Sequence, residues 1–122
     1  MKITCGTDII EISRIQEAIE KGGEKFLNHV FTNNEIEFCE SHKNQKYQHY
    51  AARFAAKEAI FKAVGEHMDK SKLDWKTFEV VRMESGKPEV KIYQEVENLD
   101  NVDVSISHCK EYATANVIAI FK

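Results

Sequence analysis

The stretch VDVSISH at residues 102–108 decides the fold class, because its apolar and polar side chains alternate strictly. A period of two is typical of a β-strand with one buried face and one exposed face. A second and more apolar run, residues 113–121, follows a short polar connection at 108–112. We therefore predict that the two runs pair as an antiparallel hairpin in the second half of the chain.

The longest helix is predicted over residues 47–64, and Gly65 ends it. Alanines recur on one face of this segment, which permits close packing against a neighbouring element. A polar break at residues 43–46 separates it from an earlier helix. The spacing of Thr32 and Glu35 is that of a capping box and indicates where the earlier helix begins.

The beginning of the sequence predicts a strand followed by a helix. Residues 3–10 are apolar and favour a strand that ends near Asp8. Residues 12–19 have helical spacing, with Asp8 or Ser13 as the candidate N-cap. The pair Gly22-Gly23 is expected to end this helix.

The remaining segments complete an α+β pattern. Residues 75–83 and 89–92 predict two strands joined by a turn at 85–88, and residues 92–99 predict a short helix. Helices therefore dominate the first half and strands the second. This order indicates one domain spanning residues 1–122, with helices packed on an antiparallel sheet.

Composition narrows the function classes. The 122 residues carry a formal net charge of −3, which gives nucleic-acid binding no support. No apolar run approaches the roughly 20 residues of a membrane span, so no membrane association is expected. The three cysteines, Cys5, Cys39 and Cys109, are widely spaced and odd in number, which argues against a disulfide framework or a zinc site. We expect a cytoplasmic protein.

Three segments carry residues suited to phosphate chemistry. GTDIIE at residues 6–11 places Asp8 at the end of a strand, and RFAAKEA at 53–59 places Glu58 on the long helix. SISH at 105–108 supplies two hydroxyls and an imidazole. Two carboxylates can hold a hard divalent cation such as Mg²⁺, while nearby cations hold phosphates. The three segments together indicate Mg²⁺-assisted chemistry on a phosphate ester.

Each carboxylate also has a simpler interpretation. Asp8 could cap the first helix, and Glu58 with Lys62, four residues later, could form an ordinary surface ion pair. Against this, Glu58 projects between small and apolar neighbours on a helical wheel, as in the wall of a site. The sequence leaves these alternatives open.

The cationic residues are equally ambiguous. Arg53 and Lys57 lie four apart, and their repulsion would be relieved by an anion bound between them. Ser107 and His108 could donate hydrogen bonds to phosphate oxygens, although a single histidine is often structural. The segment Gly86-Lys87-Pro88 could be no more than a hairpin corner. The chain contains no Walker A motif, dinucleotide fingerprint or nucleophile elbow.

The same segments resemble the signatures of a known enzyme family. GTDIIEISRI at residues 6–15, RFAAKEA at 53–59 through Lys62, and SISH at 105–108 followed by KEYA are similar to three motifs of bacterial holo-acyl-carrier-protein synthases. This family is part of the 4′-phosphopantetheinyl transferase superfamily. Order, spacing and total length agree along essentially the whole chain.

The resemblance implies a reaction and an assembly. The family transfers 4′-phosphopantetheine from coenzyme A to a serine of apo-acyl carrier protein in fatty acid biosynthesis. It requires Mg²⁺ and releases adenosine 3′,5′-bisphosphate. A homotrimer is implied, with sites at the subunit interfaces and the cofactor lying between neighbours.

The resemblance also assigns roles to residues. Asp8 and Glu58 match the metal ligands, and with Lys62 they form the predicted catalytic set. Arg14 matches a position at the carrier-protein surface, although it could instead pair with an acidic residue of its own helix. Either Glu58 or a metal-bound water could accept the serine proton. The predicted coenzyme A contacts are Arg53, Lys62, Gly86, Lys87, Pro88, Ser107 and His108.

Two other function classes compete with the transferase. A non-catalytic module that binds coenzyme A or a carrier protein would keep the cations and could dispense with the carboxylate pair. A Mg²⁺-dependent phosphoester hydrolase would need a group that positions water and usually further carboxylates.

Overall fold

The computed structural model describes all residues from 1 to 122 and contains three α-helices and five β-strands, with short 3₁₀ turns between them. The helices are α1 (Ile12–Val30), α2 (Asn33–Glu40) and α3 (Lys46–Val64). The strands are β1 (Lys2–Glu11), β2 (Phe78–Arg82), β3 (Pro88–Ile92), β4 (Leu99–His108) and β5 (Tyr112–Phe121).

The strands form two antiparallel sheets. The larger has the order β1-β5-β4, and the smaller consists of β2 and β3. The α+β class, the antiparallel pairing and the hairpin of β4 with β5 are therefore confirmed. The expectation that the first strand ends near Asp8 was wrong, since β1 pairs with β5 as far as Glu11 opposite Tyr112.

Helix α3 packs on the inner face of the larger sheet. The inward side chains of β5 are small or apolar and almost fully buried, and so are the alanines of α3 that meet them. A Cβ atom at Gly6 would lie 1.9 Å from the carbonyl oxygen of Ala59, so only glycine permits this approach of β1 to α3. Thr4 adds a hydrogen bond of 2.6 Å to the carbonyl of Ala63. This close contact brings Asp8, two residues beyond Gly6, alongside α3.

The helix boundaries follow the predicted signals in part. Thr32 and Glu35 form the predicted capping box at the start of α2. Neither Asp8 nor Ser13 caps α1, because Glu11 occupies the N-cap position without a side-chain hydrogen bond. The backbone kinks at Gly23, where φ is 58°, and helical structure then resumes to Val30. None of the helices combines the length and apolarity needed to cross a bilayer.

Two segments differ from prediction, each for its own reason. Residues 92–99 contain no helix, because the amides of Tyr93 and Glu97 donate to the distant carbonyls of Thr77 and His67. The predicted strand at 75–83 begins only at Phe78, after a 3₁₀ turn with its own capping box. Tertiary hydrogen bonds thus overrode local propensity at residues 92–99, whereas a local capping box delays the start of the strand in segment 75–83.

Candidate active site

Asp8, Glu58 and Lys62, the predicted catalytic set, meet at the junction of β1 and α3. Asp8 and Glu58 line a cavity of about 350 Å³ together with Arg14 and Phe54. The Nζ atom of Lys62 lies 3.4 Å from Oδ1 of Asp8 and donates a hydrogen bond of 2.9 Å to the carbonyl of Thr7. Lys62 therefore pairs with β1, whereas the simpler interpretation paired it with Glu58.

The electrostatics of this cavity favour a cation. Partial burial raises the pKa of Glu58, the Asp8 carboxylate raises it further, and the Lys62 ammonium opposes both effects. The mutual repulsion of two carboxylates is relieved when a cation binds between them.

The donor set suits Mg²⁺. No group of three or more histidine, cysteine, aspartate or glutamate side chains is arranged to hold a metal. Mg²⁺ typically binds one or two carboxylates and completes its shell with water and substrate phosphate oxygens. Asp8 and Glu58, at a cavity with space for both, fit that requirement.

Arg14 lies at the same cavity, on the first turn of α1. Its side chain is exposed, and it takes part in none of the five ion pairs of the chain. The alternative in which Arg14 pairs with an acidic residue of its own helix is therefore wrong in this structure. A free guanidinium stands at the rim of the carboxylate cavity.

Arg53 points away from this cavity. Its guanidinium carbon lies 4.1 Å from the ring centroid of Phe38 on α2, and the residue is only 6% exposed. Its Nε atom is buried without a hydrogen-bond partner. A buried guanidinium N–H that lacks an acceptor is costly, and a bound anion would satisfy it.

Three histidines gather beside Arg53. The His42 and His49 rings have centroids 4.4 Å apart, and the His49 and His108 rings 6.1 Å apart. Arg53 and His108 are site residues predicted from the sequence, whereas His42 and His49 were not predicted. The available signal was spacing, because His49 precedes Arg53 by four residues and so shares its face of α3.

The surroundings of Lys57 contradict the prediction that an anion is bound between Lys57 and Arg53. Its ammonium is fully buried, lies 2.8 Å from Oε1 of Glu35, and donates to the carbonyls of Trp75 and Phe78 at 2.9 and 2.6 Å. Burial lowers the pKa of Lys57, while Glu35 opposes that effect. Lys57 is thus an interior link between α2, α3 and β2.

The segment Gly86-Lys87-Pro88 forms the predicted corner between β2 and β3, with φ of 91° at Gly86. A Cβ at Gly86 would lie 3.4 Å from Nη2 of Arg82, so the turn stands against that guanidinium. Lys87 pairs with Asp103 on β4. The corner is therefore packed against Arg82 at the end of β2 and tied to β4 through Lys87.

The serines of β4 lie apart from the carboxylate cavity. Ser105 and Ser107 are both exposed on one face, as their alternation predicted. Ser105 lines a different cavity of about 280 Å³, together with Lys87 and Pro88. None of the predicted coenzyme A contacts lines the cavity that holds Asp8 and Glu58, and only Lys62 is joined to it, through its ion pair with Asp8.

Known proteins match this chain along nearly its whole length. The family model of the 4′-phosphopantetheinyl transferase superfamily matches residues 4–117. A holo-[acyl-carrier-protein] synthase of Ruminiclostridium cellulolyticum is 46% identical over 97% of this chain and 92% of the relative. The synthase of Chlamydia pneumoniae is also 46% identical, over 97% of both chains.

Solved structures agree with the sequence relatives. A holo-(acyl-carrier-protein) synthase of Bacillus anthracis in complex with CoA (3′,5′-ADP) superposes with a TM-score of 0.78 at 35% identity, over 95% of this chain and 94% of that one. The ACPS-CoA complex of Chronobacterium ammoniagenes gives a TM-score of 0.83 at 26% identity, over 100% of this chain and 99% of that one. Motifs, fold and relatives therefore agree, and the chain belongs to the 4′-phosphopantetheinyl transferase superfamily.

Proposed function

We propose that this chain transfers 4′-phosphopantetheine from coenzyme A to a serine of apo-acyl carrier protein, with Mg²⁺, in cytoplasmic fatty acid biosynthesis. The observation that carries the proposal is the meeting of Asp8, Glu58 and Lys62 at one junction of strand and helix. Relatives named as holo-[acyl-carrier-protein] synthases, and structures of such proteins with coenzyme A, support the choice of substrates.

The reaction forms one bond and breaks another at a single phosphorus. The carrier serine oxygen bonds to the β-phosphorus of coenzyme A, the bond from that phosphorus to the bridging oxygen breaks, and adenosine 3′,5′-bisphosphate leaves. Glu58 lines the cavity that would receive the serine hydroxyl, so its carboxylate is the proposed acceptor of the serine proton. Lys62 neutralises negative charge that develops on the phosphate oxygens.

Asp8 and Glu58 are the residues that would hold Mg²⁺. When bound, the ion supplies electrostatic stabilisation of the phosphate charge. Arg14, exposed at the rim of the same cavity, is placed to attract an acidic carrier protein toward the reacting atoms.

A homotrimer would explain why the predicted contacts fall into separate groups. The outer face of the larger sheet is uncovered, with Ile3 58%, Ile9 64% and Ile118 53% exposed. A neighbouring subunit packed on this face would bury those side chains. It would also bring its own Arg53 and His108 toward the Asp8–Glu58 cavity of the first subunit. Sedimentation of wild type and Ile118→Asp tests this proposal. A monomeric wild type would contradict it, whereas loss of the trimer and of activity together would support it.

The transfer itself is tested by incubating the protein with apo-acyl carrier protein, coenzyme A and Mg²⁺ and weighing the carrier. A mass gain of one phosphopantetheine is expected. Binding without a mass gain would favour the non-catalytic module, and coenzyme A cleavage without carrier modification would favour the hydrolase.

A further inference from the structure

Trp75, the single tryptophan of the chain, connects two cavities that share Glu58. It lines a cavity of about 430 Å³ together with Glu58 and Leu73. The separate cavity of Asp8 is lined by Phe54 and, again, by Glu58. The rings of Phe54 and Trp75 stack, with centroids 4.8 Å apart and planes inclined by 25°. The stacked pair therefore belongs to the walls of both cavities.

The backbone of Trp75 is anchored on α3 by a buried ammonium. Lys57 donates a hydrogen bond of 2.9 Å to the carbonyl of Trp75, and Glu35, 2.8 Å away, balances its charge. Trp75 also begins a 3₁₀ turn that is closed by a capping box between Asp74 and Thr77. The indole thus projects from a backbone that is fixed to α3 by contacts other than those of the ring itself.

The ring of Phe54 depends on this indole for its position. Phe54 is only half-buried, and it precedes Glu58 by four residues, so the two side chains share one face of α3. A phenylalanine at a cavity wall can adopt another rotamer when nothing packs against its ring. The stack with Trp75 favours the rotamer in which Phe54 lines the cavity of Asp8 and Glu58.

We propose that Trp75 is a positioning residue for the transfer, which holds Phe54 in the wall of the Asp8–Glu58 cavity so that the carrier serine is oriented beside Glu58. This inference rests on the proposed function for the identity of the acceptor. Arg14, which lines the same cavity, places the approach of an acidic carrier on the Phe54 side. Trp75 itself lies outside the three sequence motifs at residues 6–15, 53–62 and 105–113.

A double-mutant cycle tests whether Trp75 acts through Phe54. The quantity measured is kcat/KM for apo-acyl carrier protein at saturating coenzyme A and Mg²⁺, in wild type, Phe54→Ala, Trp75→Ala and the double variant. Trp75→Ala should lower kcat/KM by about threefold to tenfold in the wild-type background, as expected for the loss of one aromatic contact. It should have no further effect in Phe54→Ala, because the ring that it positions is already absent.

Conservative variants separate positioning from simple loss of packing. Trp75→Phe keeps a ring that can stack and should recover most of the activity, whereas Trp75→Leu fills space without a ring and should not. If Trp75→Ala does not fold, Trp75→Leu takes its place in the cycle. Tyr93→Ala is the matched control, since Tyr93 is 62% exposed, bonds to the buried Glu79 and is no part of the stack. Its carrier kinetics should match wild type.

The outcomes that overturn this inference differ from those that overturn the proposed function. Equal losses on removing Trp75 in both backgrounds would mean that Trp75 contacts a substrate directly, and activity of Trp75→Leu equal to that of Trp75→Phe would mean that bulk alone matters. Either result, with a wild type that modifies the carrier, overturns the positioning role alone. If wild type binds the carrier without modifying it, the proposed function fails, and the same cycle is then measured on carrier affinity. A wild type that neither binds nor modifies the carrier overturns both.

Discussion

Lys62 on α3 lies 3.4 Å from the carboxylate of Asp8 on β1, although the two residues are 54 positions apart. The pair ties the strand to the helix at the place where Glu58 also faces the cavity. The Lys62 side chain is 52% exposed and that of Asp8 only 18%. The ammonium can therefore turn toward a phosphate while the carboxylate keeps its place.

Replacing Lys62 by alanine should weaken use of coenzyme A without unfolding the protein. A charge-assisted hydrogen bond contributes about 1.5–3 kcal/mol, which corresponds to a loss of roughly ten- to a hundredfold in kcat/KM. Because the side chain is half exposed, stability should change by less than about 1 kcal/mol. Kinetics with varied coenzyme A measure the first effect and urea unfolding the second.

Lys72→Ala is the control for Lys62, since Lys72 pairs with Asp69 on a surface turn with its side chain 73% exposed. Its kinetics should match wild type. Unchanged coenzyme A kinetics in Lys62→Ala would mean that Lys62 forms only an ordinary surface ion pair.

Removing either cavity carboxylate should abolish most turnover. Asp8→Asn and Glu58→Gln each delete an anionic oxygen that a hard cation requires, so we expect losses of at least about a hundredfold. Initial rates across a Mg²⁺ titration measure the effect, and circular dichroism checks folding. Glu66→Gln, an exposed carboxylate outside the cavity, is the control. Near-normal Mg²⁺-dependent rates in both cavity variants would refute the metal assignment.

The sequence predicted the site residues correctly where the backbone alone determines the position of a side chain. Asp8 lies on an apolar strand, and Glu58 and Lys62 share one face of a helix, so pairing this strand and helix is enough to bring them together. The helical wheel gave the side of α3 on which Arg53 and Lys57 lie, but it could not show what covers that side. Glu35 comes from another helix and neutralises Lys57.

The histidine cluster was missed for a similar reason. His42, His49 and His108 are far apart in sequence and meet only after α2, α3 and the end of β4 have packed. Residues 92–99 likewise form no helix because distant carbonyls accept hydrogen bonds from their amides. Long-range contacts of this kind leave little trace in local periodicity.

The buried pair of Lys57 and Glu35 should be a strong determinant of stability. Lys57→Met would leave the Glu35 carboxylate buried without its counter-charge, and breaking such a pair costs about 3–5 kcal/mol. Urea unfolding should show this loss as a lower midpoint. Lys46→Met is the matched control, because its pair with Glu40 is partly exposed and worth less than about 1 kcal/mol. Similar midpoints for the two variants would contradict the interior role of Lys57.

Arg14 should govern attraction of the carrier protein. Arg14→Glu reverses the charge of an unpaired, exposed guanidinium, so carrier affinity should fall while coenzyme A affinity is retained. Wild-type carrier binding should also weaken with salt, since the contact is partly exposed. Titration at two salt concentrations tests both effects, with Lys72→Glu as the control. Equal carrier affinities without salt dependence would place the docking surface elsewhere.

The most direct measurement of the central claim counts both products of one reaction. Purified protein, apo-acyl carrier protein, coenzyme A and Mg²⁺ are combined, and the modified carrier and adenosine 3′,5′-bisphosphate are quantified by mass spectrometry. We predict that the two products appear in equal amounts, and that neither appears with a carrier whose acceptor serine is alanine. Adenosine 3′,5′-bisphosphate formed without modified carrier, or no product with a folded and Mg²⁺-supplied protein, would contradict the account.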